Sequence, residues 1–325
     1  MPQARRVSMA MVAERAGVSG QTVSRVANDS PKVDPETRRR VEQAMSELGY
    51  RPNRAARALR TGRTHTLGLV AQTLASVGNS RMLQSVAEAA AARGYALTVV
   101  TLGADGDIAG AFDRLHDQGV DGAIVLNEAS ALARGAASAG LRLVVVDSPP
   151  DERFTVVATD HAAGARAATE HLLAAGHHTV HHLAGPSGSF AAAERERGWR
   201  EALASAGAPA SEPLRGDWTS ASGRAQAERM LDAQVTALFA ANDQMALGAL
   251  RAIAESGRRV PQDVAVIGFD DIADAAEFIP PLTTVRQDFD ALGEHAVRAL
   301  VAAVEAGEES GDLRLVPELV MRESG

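Results

Sequence analysis

The chain has 325 residues, enough for two or three domains that each bury a core, and its 46% hydrophobic and 23% charged residues have the balance of a globular protein. No run is long and apolar enough to span a bilayer, and the absence of cysteine excludes disulfides and thiolate metal sites. The opening MPQARRVSMA lacks the apolar core and small-residue cleavage site of an export signal, so a cytoplasmic, nucleoid-associated protein that does not touch the membrane is expected.

The net charge of −8 hides an asymmetry. Residues 1–64 carry 13 Lys/Arg against 6 Asp/Glu, net +7, and the remainder carries 20 against 35, net −15. A small basic module on an acidic body is the electrostatic footprint of a part that meets a phosphate backbone. Its basic residues alternate with apolar ones at helical spacing, unlike a solvated basic tail.

Within that module, Ser8 is placed to cap a helix reaching about Ala16, Gly17 to break it, and Ser19 to cap a second helix reaching about Asn28. Ala13 and Gly17 are small where the helices are expected to approach, and Val18, Val23 and Val26 supply the apolar face, which is helix-turn-helix logic. A supporting third helix starts with Asp34 as cap and Pro35 at its first position, carries Val41, Ala44, Met45 and Leu48 on one face, and stops at Gly49. The polar face of the second helix holds Gln21, Thr22, Ser24, Arg25 and Asn28, with Ser19 at its start. Gln and Arg make paired bonds to adenine and guanine edges, so Gln21 and Arg25 are the expected base readers; by periodicity alone they read almost as well as solvated surface.

The run VAERAGVSGQTVSRVANDSPKVDPETRRRVEQAMSELGYRPNRAARALRTGRT resembles the headpiece and hinge of the LacI/GalR family of repressors, and the resemblance continues through almost all of the chain. It implies a helix-turn-helix headpiece over residues 1–50 and a hinge helix over 51–64 that forms when two subunits meet on operator DNA. There Leu59 matches the leucine that wedges into the minor groove, Asn53, Arg54 and Arg57 suit phosphates, and Ala55 and Ala56 permit close pairing. Gly20 stands where the sugar-responsive branch carries tyrosine, which leaves the first base-reading position blank.

From Leu67 onward, apolar runs alternate with amphipathic stretches, the pattern of a parallel α/β fold. LGLVA, YALTVVT, GAIVL and RLVVVD read as buried strands, with helices around Met82–Arg93, Ile108–Gln118 and Ala129–Ala139. A second set has TVHHLAG, VTALFA and VAVIGF as strands and helices around Ala162–Ala175, Ala192–Ala206, Ala221–Asp232 and Met245–Ser256. Two doubly wound parallel sheets make two lobes, with the default ligand site in the cleft at the carboxyl ends of the strands. The expected architecture is therefore α/β, a periplasmic-binding-protein-like two-lobed sensor over residues 65–325 preceded by the all-α headpiece. The family adds the crossover pattern: an N-lobe of about 65–159 and 287–313, a C-lobe of about 160–286 and 314–325, and three crossings. No heptad extension follows VPELVMRESG, so a homodimer is expected in place of a tetramer.

Asp147, Arg195, Trp218, Asn242 and Asp270 fall at or just beyond predicted strand ends. Carboxylates and amides bind neighbouring hydroxyls in pairs, Arg offers a planar fork, and an indole stacks on a sugar face. By the resemblance these five match the effector pocket of sugar-responsive members, with Trp218 as the stacking ring; on residue chemistry alone, Asn242 and Asp270 read equally well as helix caps. Gln72, Ser76, Gly78, Asn79 and Met82 make a more polar wall than in those relatives, fit for a different aglycone or a further ring. Trp199, following Gly198 on a helix, reads as core. His177, His178, His181 and His182 alternate along a strand with no carboxylate nearby, so neither a metal nor another cofactor is expected.

The implied function is a repressor that binds a pseudo-palindromic operator as a dimer and is released by a small sugar, a galactoside in the branch it resembles. The alternatives are a regulator with a non-sugar or corepressor ligand, and a sugar-binding transport receptor, for which the basic headpiece has no use. A sugar hydrolase or kinase lacks its motifs here: no G-x-S-x-G, GxxxxGK or HExxH is present.

Overall fold

A side-chain cap starts each helix of the first residues, and Gly17 and Gly49 stop the first and third. The computed structural model describes residues 7–27, 30–50, 62–103, 106–136, 138, 140–231, 234–308 and 310–325, and the chain divides into two units, Met1–Thr64 and His65–Gly325. In the first unit, α1 (Met9–Ala16), α2 (Gly20–Ala27) and α3 (Pro35–Leu48) start where Ser8, Ser19 and Asp34 accept from orphan amides of the first turn. Val12, Val23, Val26, Val41 and Ala44 form their shared core, with Ala13 and Ala16 filling the α1 side. Gly17 was expected to permit a close helix approach. A Cβ there would meet nothing within 4 Å, so the position needs glycine for its φ of 62°, not for space.

In chain order the second unit begins with β1 (Thr66–Ala71), α4 (Val77–Ala92), β2 (Ala96–Thr101), α5 (Ile108–Asp117), β3 (Gly122–Leu126), α6 (Glu128–Ala133), β4 (Arg142–Val146) and β5 (Thr155–Thr159). It continues with α7 (His161–Ala174), β6 (His181–Ala184), α8 (Phe190–Ala206), β7 (Leu214–Arg215), α9 (Ser220–Met230), β8 (Ala237–Ala240) and α10 (Asp243–Glu255). Last come β9 (Ala265–Asp270), β10 (Thr283–Arg286), α11 (Phe289–Ala306), β11 (Leu313–Leu315) and β12 (Glu318–Val320).

Two six-stranded sheets result, ordered β11-β5-β4-β3-β1-β2 and β12-β10-β9-β8-β6-β7. The first is parallel throughout; the second is parallel except that β12 pairs antiparallel with β10. The two doubly wound parallel sheets expected from the sequence are present, with one antiparallel edge strand where the chain returns without a crossover helix. YALTVVT, by contrast, is not a buried strand: β2 lies at a sheet edge, so Val99 is exposed. The helix expected from Met82 begins at Val77, because Ser76 caps it, and the one expected to Ala139 stops at Ala133.

The chain passes between lobes after β5, after β10 and after β11. Because β11 pairs with β5, the last crossing falls between Leu315 and Glu318 instead of at residue 313, so Arg314 and Leu315 belong with the first lobe. The crossings are tied together: Asp160 N donates to Leu315 O at 2.7 Å, and a Cβ on Gly164 would strike Pro317 and Val285. No helix among the described residues is long and apolar enough to cross a membrane.

Helix pairs on the second lobe pack backbone to backbone. A Cβ on Gly198 of α8 would lie 2.1 Å from Ala162 O of α7, and one on Gly248 of α10 would lie 2.0 Å from Ser220 O of α9. With backbone as the neighbour, neither site relaxes cheaply, and overpacking of this kind costs about 1–3 kcal/mol or more. Gly198→Ala is therefore expected to lower the urea midpoint of the second unit. Gly188→Ala, where a Cβ meets open space, is expected to leave it unchanged.

Candidate functional site

The carboxyl ends of strands from both lobes wall a cavity between them. Ser76, Gly78, Met82, Asn127, Glu128, Asp147 and Phe289 line it from the first lobe, Ala191, Arg195, Trp218, Asn242 and Asp270 from the second, and Gln287 from the second crossing. Of the effector residues expected from sequence, Ser76, Met82, Asp147, Arg195, Trp218, Asn242 and Asp270 come together there. Gln72 does not: its amide donates to Gly103 O and ties the end of β1 to the end of the edge strand β2. Asn127, Glu128 and Gln287 were not anticipated, although Asn127 and Glu128 directly follow the strand GAIVL. Gln287 follows TTVR, too short a run to read as a strand.

Six described non-glycine residues have positive φ, and four of them line this cavity: Asn127 (46°), Asp147 (52°), Trp218 (74°) and Asp270 (112°). Left-handed backbone is tolerable for Asn and Asp but a genuine outlier for a bulky side chain such as Trp, and strain of this kind concentrates at binding sites. Trp218 is held by its surroundings. Its carbonyl accepts from Asn242 Nδ2 at 3.1 Å, and its ring occupies the space a Cβ on Gly185 would need. Asn242 also caps α10 through Oδ1, so the two readings of that residue coexist. Asp270 caps no helix. Its Oδ1 instead accepts from Gln287 Nε2 at 2.6 Å and Arg195 Nη2 at 3.4 Å. Trp199 is fully buried and donates to Val180 O, as expected of core.

A buried polar chain runs beneath the cavity floor. Arg195 Nε donates to His161 Nδ1 at 3.3 Å, and His161 Nε2 stands 3.0 Å from Asp147 Oδ1 across the first crossing. Arg195 also donates to Ala241 O and lies 3.8 Å over the Phe269 ring. Burial opposes the charge on Asp147, but His161, the Thr159 amide and Arg195 hold its carboxyl below the usual range. On Asp270 burial wins and raises the carboxyl, with Arg195 and Gln287 opposing. Burial pushes the Arg195 guanidinium down, and Asp270 and Asp147 counter it. Two direct bonds join the lobes at the mouth: Trp218 Nε1 donates to Glu128 Oε1 at 3.0 Å, and Val77 N to Gln244 Oε1 at 3.2 Å.

Two buried acceptors in the lining, Asn127 Oδ1 and Gln287 Oε1, have no hydrogen-bond partner among the described residues. Buried oxygens are rarely left unpaired, and these face a space that also holds three carboxylates against one guanidinium. The arrangement accepts hydrogen bonds, disfavours anions and offers an indole face: it suits a neutral molecule rich in hydroxyl donors.

In the headpiece, Ser19, Gln21 and Arg25 are exposed on α2, and Thr22 and Ser24 are half-buried. Ser19 and Thr22 hydroxyls pair with each other at 3.0 Å over the first turn, which leaves Gln21 and Arg25 projecting from that helix face. Asn28, Asn53, Arg54, Ala56, Arg57 and Leu59 lie outside the described residues.

Residues 8–53 match the family model of bacterial regulatory proteins, lacI family, and residues 169–325 match a periplasmic binding protein-like domain. The chain is 40% identical to the HTH-type transcriptional regulator CelR of Thermobifida fusca over the whole of both chains. The chain belongs to the lacI family. It is 37% identical to the lactose operon repressor of Escherichia coli, with 98% of this chain and 90% of that protein covered, and 34% identical to the PurR repressor of Pasteurella multocida. Among solved structures, the lac repressor dimer bound to operator and the anti-inducer ONPF superposes with a TM-score of 0.88 at 36% identity, covering 98% of this chain and 99% of that one. A CelR–cellobiose complex superposes at 0.74 and 37% identity, covering 98% and 100%. This LacI-family chain is accordingly a transcriptional regulator with the family's helix-turn-helix and two-lobed α/β body.

In this LacI-family chain, His182 and His177 have packing roles. His182 is buried, stacked 4.9 Å from Phe239 with Nδ1 at Phe239 O, and burial lowers its pKa to about 4; His177 Nδ1 lies 3.1 Å from Thr236 Oγ1.

Asp243, next to Asn242, is fully buried, accepts from Ile272 N and Thr284 Oγ1, and is pushed well above the usual carboxylate range by burial and then by Asp270 and Asp271. A carboxyl raised on folding binds more protons in the native state, so the stability it confers is present at low pH and is lost as pH rises through its native value. Asp243→Asn is expected to flatten the decline in urea stability on going from about pH 4, the unfolded carboxylate value, toward neutrality. An unchanged slope shows that Asp243 is ionised in the native protein.

Proposed function

We propose that the protein is a sugar-responsive repressor: a homodimer that binds a pseudo-palindromic operator through α2 and is released when a small neutral sugar occupies the cleft. The observation that carries this reading is the pair of unpartnered acceptors, Asn127 Oδ1 and Gln287 Oε1, in a cavity rich in carboxylates beside the Trp218 indole. Hydroxyl donors of a sugar satisfy both, Asp147 and Asp270 take further hydroxyls, and the ring face stacks on Trp218. The body acts as a sensor and not as an enzyme. Relatives solved with cellobiose and with the lac ligands ONPF and ONPG lend support, and a galactoside or a glucoside meets the same acceptors.

The mechanism follows from the lobe contacts. Sugar hydroxyls compete with Trp218 for Glu128, which changes the angle between the lobes across three crossings. Residues 51–64 then lose the pairing that sets Leu59 in the minor groove and Asn53, Arg54 and Arg57 on phosphates, with Ala56 at the close helix contact. Linkage requires operator to weaken sugar binding by the factor with which sugar weakens operator binding.

Titration of intrinsic tryptophan fluorescence with galactosides, glucosides and purines tests the sensor. A saturable change with a sugar, lost in Trp218→Phe while the buried Trp199 still emits, is the expected result; a response only to purines replaces the sugar reading with a PurR-like one. On the DNA side, Arg25→Ala is expected to relax base preference at one position per half-site, a loss of about 1–3 kcal/mol of discrimination. A uniform loss over all sequences makes Arg25 a phosphate contact.

A further inference from the structure

Asp270 and Asp271 are consecutive residues in left-handed backbone, at φ 112° and 52°. Such strain persists only where the surroundings over-determine it. Asp270 has a reason for it, since its side chain lines the effector cavity, but Asp271 is not part of that lining. The Asp271 carboxylate, 8% exposed, is held by two arginines instead: Oδ1 accepts from Arg322 Nη2 and Oδ2 from Arg286 Nε, both at 2.7 Å. We infer that Arg322, acting through Asp271, is a positioning residue for the effector site, setting the turn that aims Asp270 at the ligand. The inference rests on the sugar reading above.

Of the two arginines, Arg322 is the stronger anchor. Arg286 is 49% exposed, and an ion pair open to solvent contributes little. Arg322 is 18% exposed, and its guanidinium makes a second bond, from Nη1 to Leu282 O at 2.7 Å. Its backbone is fixed as well: Arg322 N donates to Thr283 Oγ1 at 2.9 Å, and the fully buried Ser324 Oγ accepts from Thr283 N and donates to Val266 O. The guanidinium is thus delivered from a segment laced to β9 and β10. On the far side of the turn, Ile272 N donates to Asp243 Oδ2 at 2.9 Å, beside the cavity residue Asn242. The turn is therefore gripped at each of three successive residues: Asp270 by Gln287 and Arg195, Asp271 by Arg322 and Arg286, and Ile272 by Asp243. A ligand hydroxyl competes only for the first of these grips. A carboxylate that exchanges a protein partner for a ligand keeps its aim only if other groups hold its backbone, and Arg322 does so from outside the cavity.

A double-mutant cycle in the full chain separates aim from mere stability. Affinity for cellobiose and for lactose is measured by calorimetry in wild type, Arg322→Gln, Arg322→Lys, Asp270→Asn and the Arg322→Gln/Asp270→Asn double variant, and operator affinity is measured without sugar. Arg259→Ala, which loses an exposed ion pair of the same lobe to Asp263, is the control and is expected to change neither. Arg322→Gln is expected to weaken the sugar that wild type binds by about ten-fold, the value of one charge-assisted hydrogen bond, and to keep operator affinity, which shows that the variant is folded. Arg322→Lys is expected to recover part of the loss. In the Asp270→Asn background, Arg322→Gln is expected to cost nothing further, because the group it aims is already gone. A ten-fold loss in both backgrounds, or no loss in the first, overturns the positioning role and leaves the sugar sensor standing. Should Asp270→Asn bind no sugar, the lysine variant decides: recovery by the cation supports the clamp, and Arg322→Lys no better than Arg322→Gln overturns it. Should Arg322→Gln fail to bind operator, Asp271→Asn carries the same cycle with the same two outcomes. Failure of both sugars to bind wild type overturns the sugar reading itself, and this inference with it.

Discussion

One buried guanidinium organises the sensor. Arg195 is 4% exposed, and a charge so deep is tolerable only with partners of good geometry. It finds them on every side: Asp270 at the end of β9, Ala241 O at the end of β8, His161 at the start of α7 and the Phe269 ring beneath. These come from separate elements of the second lobe, so satisfying one side chain fixes the relative placement of two strand ends and two helices. His161 then passes the connection to Asp147 in the first lobe, and Gln287 does so from Asp270 at the second crossing. The polar chain that keeps Arg195 charged is thus also the link between lobes, and anything that rearranges the cleft must rearrange it.

Backbone strain has a related part. Four cavity residues sit at positive φ, Asn127 and Asp147 directly after strands, Asp270 as the last residue of β9 and Trp218 three residues after β7. Turning the chain at those points brings Asn127, Asp147, Trp218 and Asp270 into the cleft wall. For Trp218 the surrounding packing is specific, with Gly185 making room for the ring and Asn242 holding the carbonyl. The site is therefore supported by residues that have no contact chemistry of their own to advertise.

That explains what the sequence made legible. Long apolar runs such as GAIVL and RLVVVD, capped helices such as Pro35–Leu48, and the residues that follow them were readable because local chemistry and fold agree there. The strands β7 and β11 were missed because two or three side chains show no period, and they exist only through their neighbours. Gln72 looked like a cavity residue because it follows a strand, yet its amide is taken up by the sheet edge. Gln287 gave no signal at all, since its place in the site depends on a lobe crossing. The antiparallel pairing of β12 escaped for the same reason.

The interleaving of the lobes also governs the order in which they can be completed on the ribosome. The first lobe needs Leu292, Ala296, Val297 and Leu300 of α11 for its core and β11 for its edge, and these emerge only after the whole of α7 to β10 has been made. Until then the faces of β3, β4 and β5 that α11 covers stay wet. Contacts so distant along the chain are slow to close, and a half-made lobe with an open apolar face is prone to aggregate or to engage chaperones. The nascent protein thus carries an unfinished first lobe throughout synthesis of the second, an obligation that a chain with two contiguous lobes would not have.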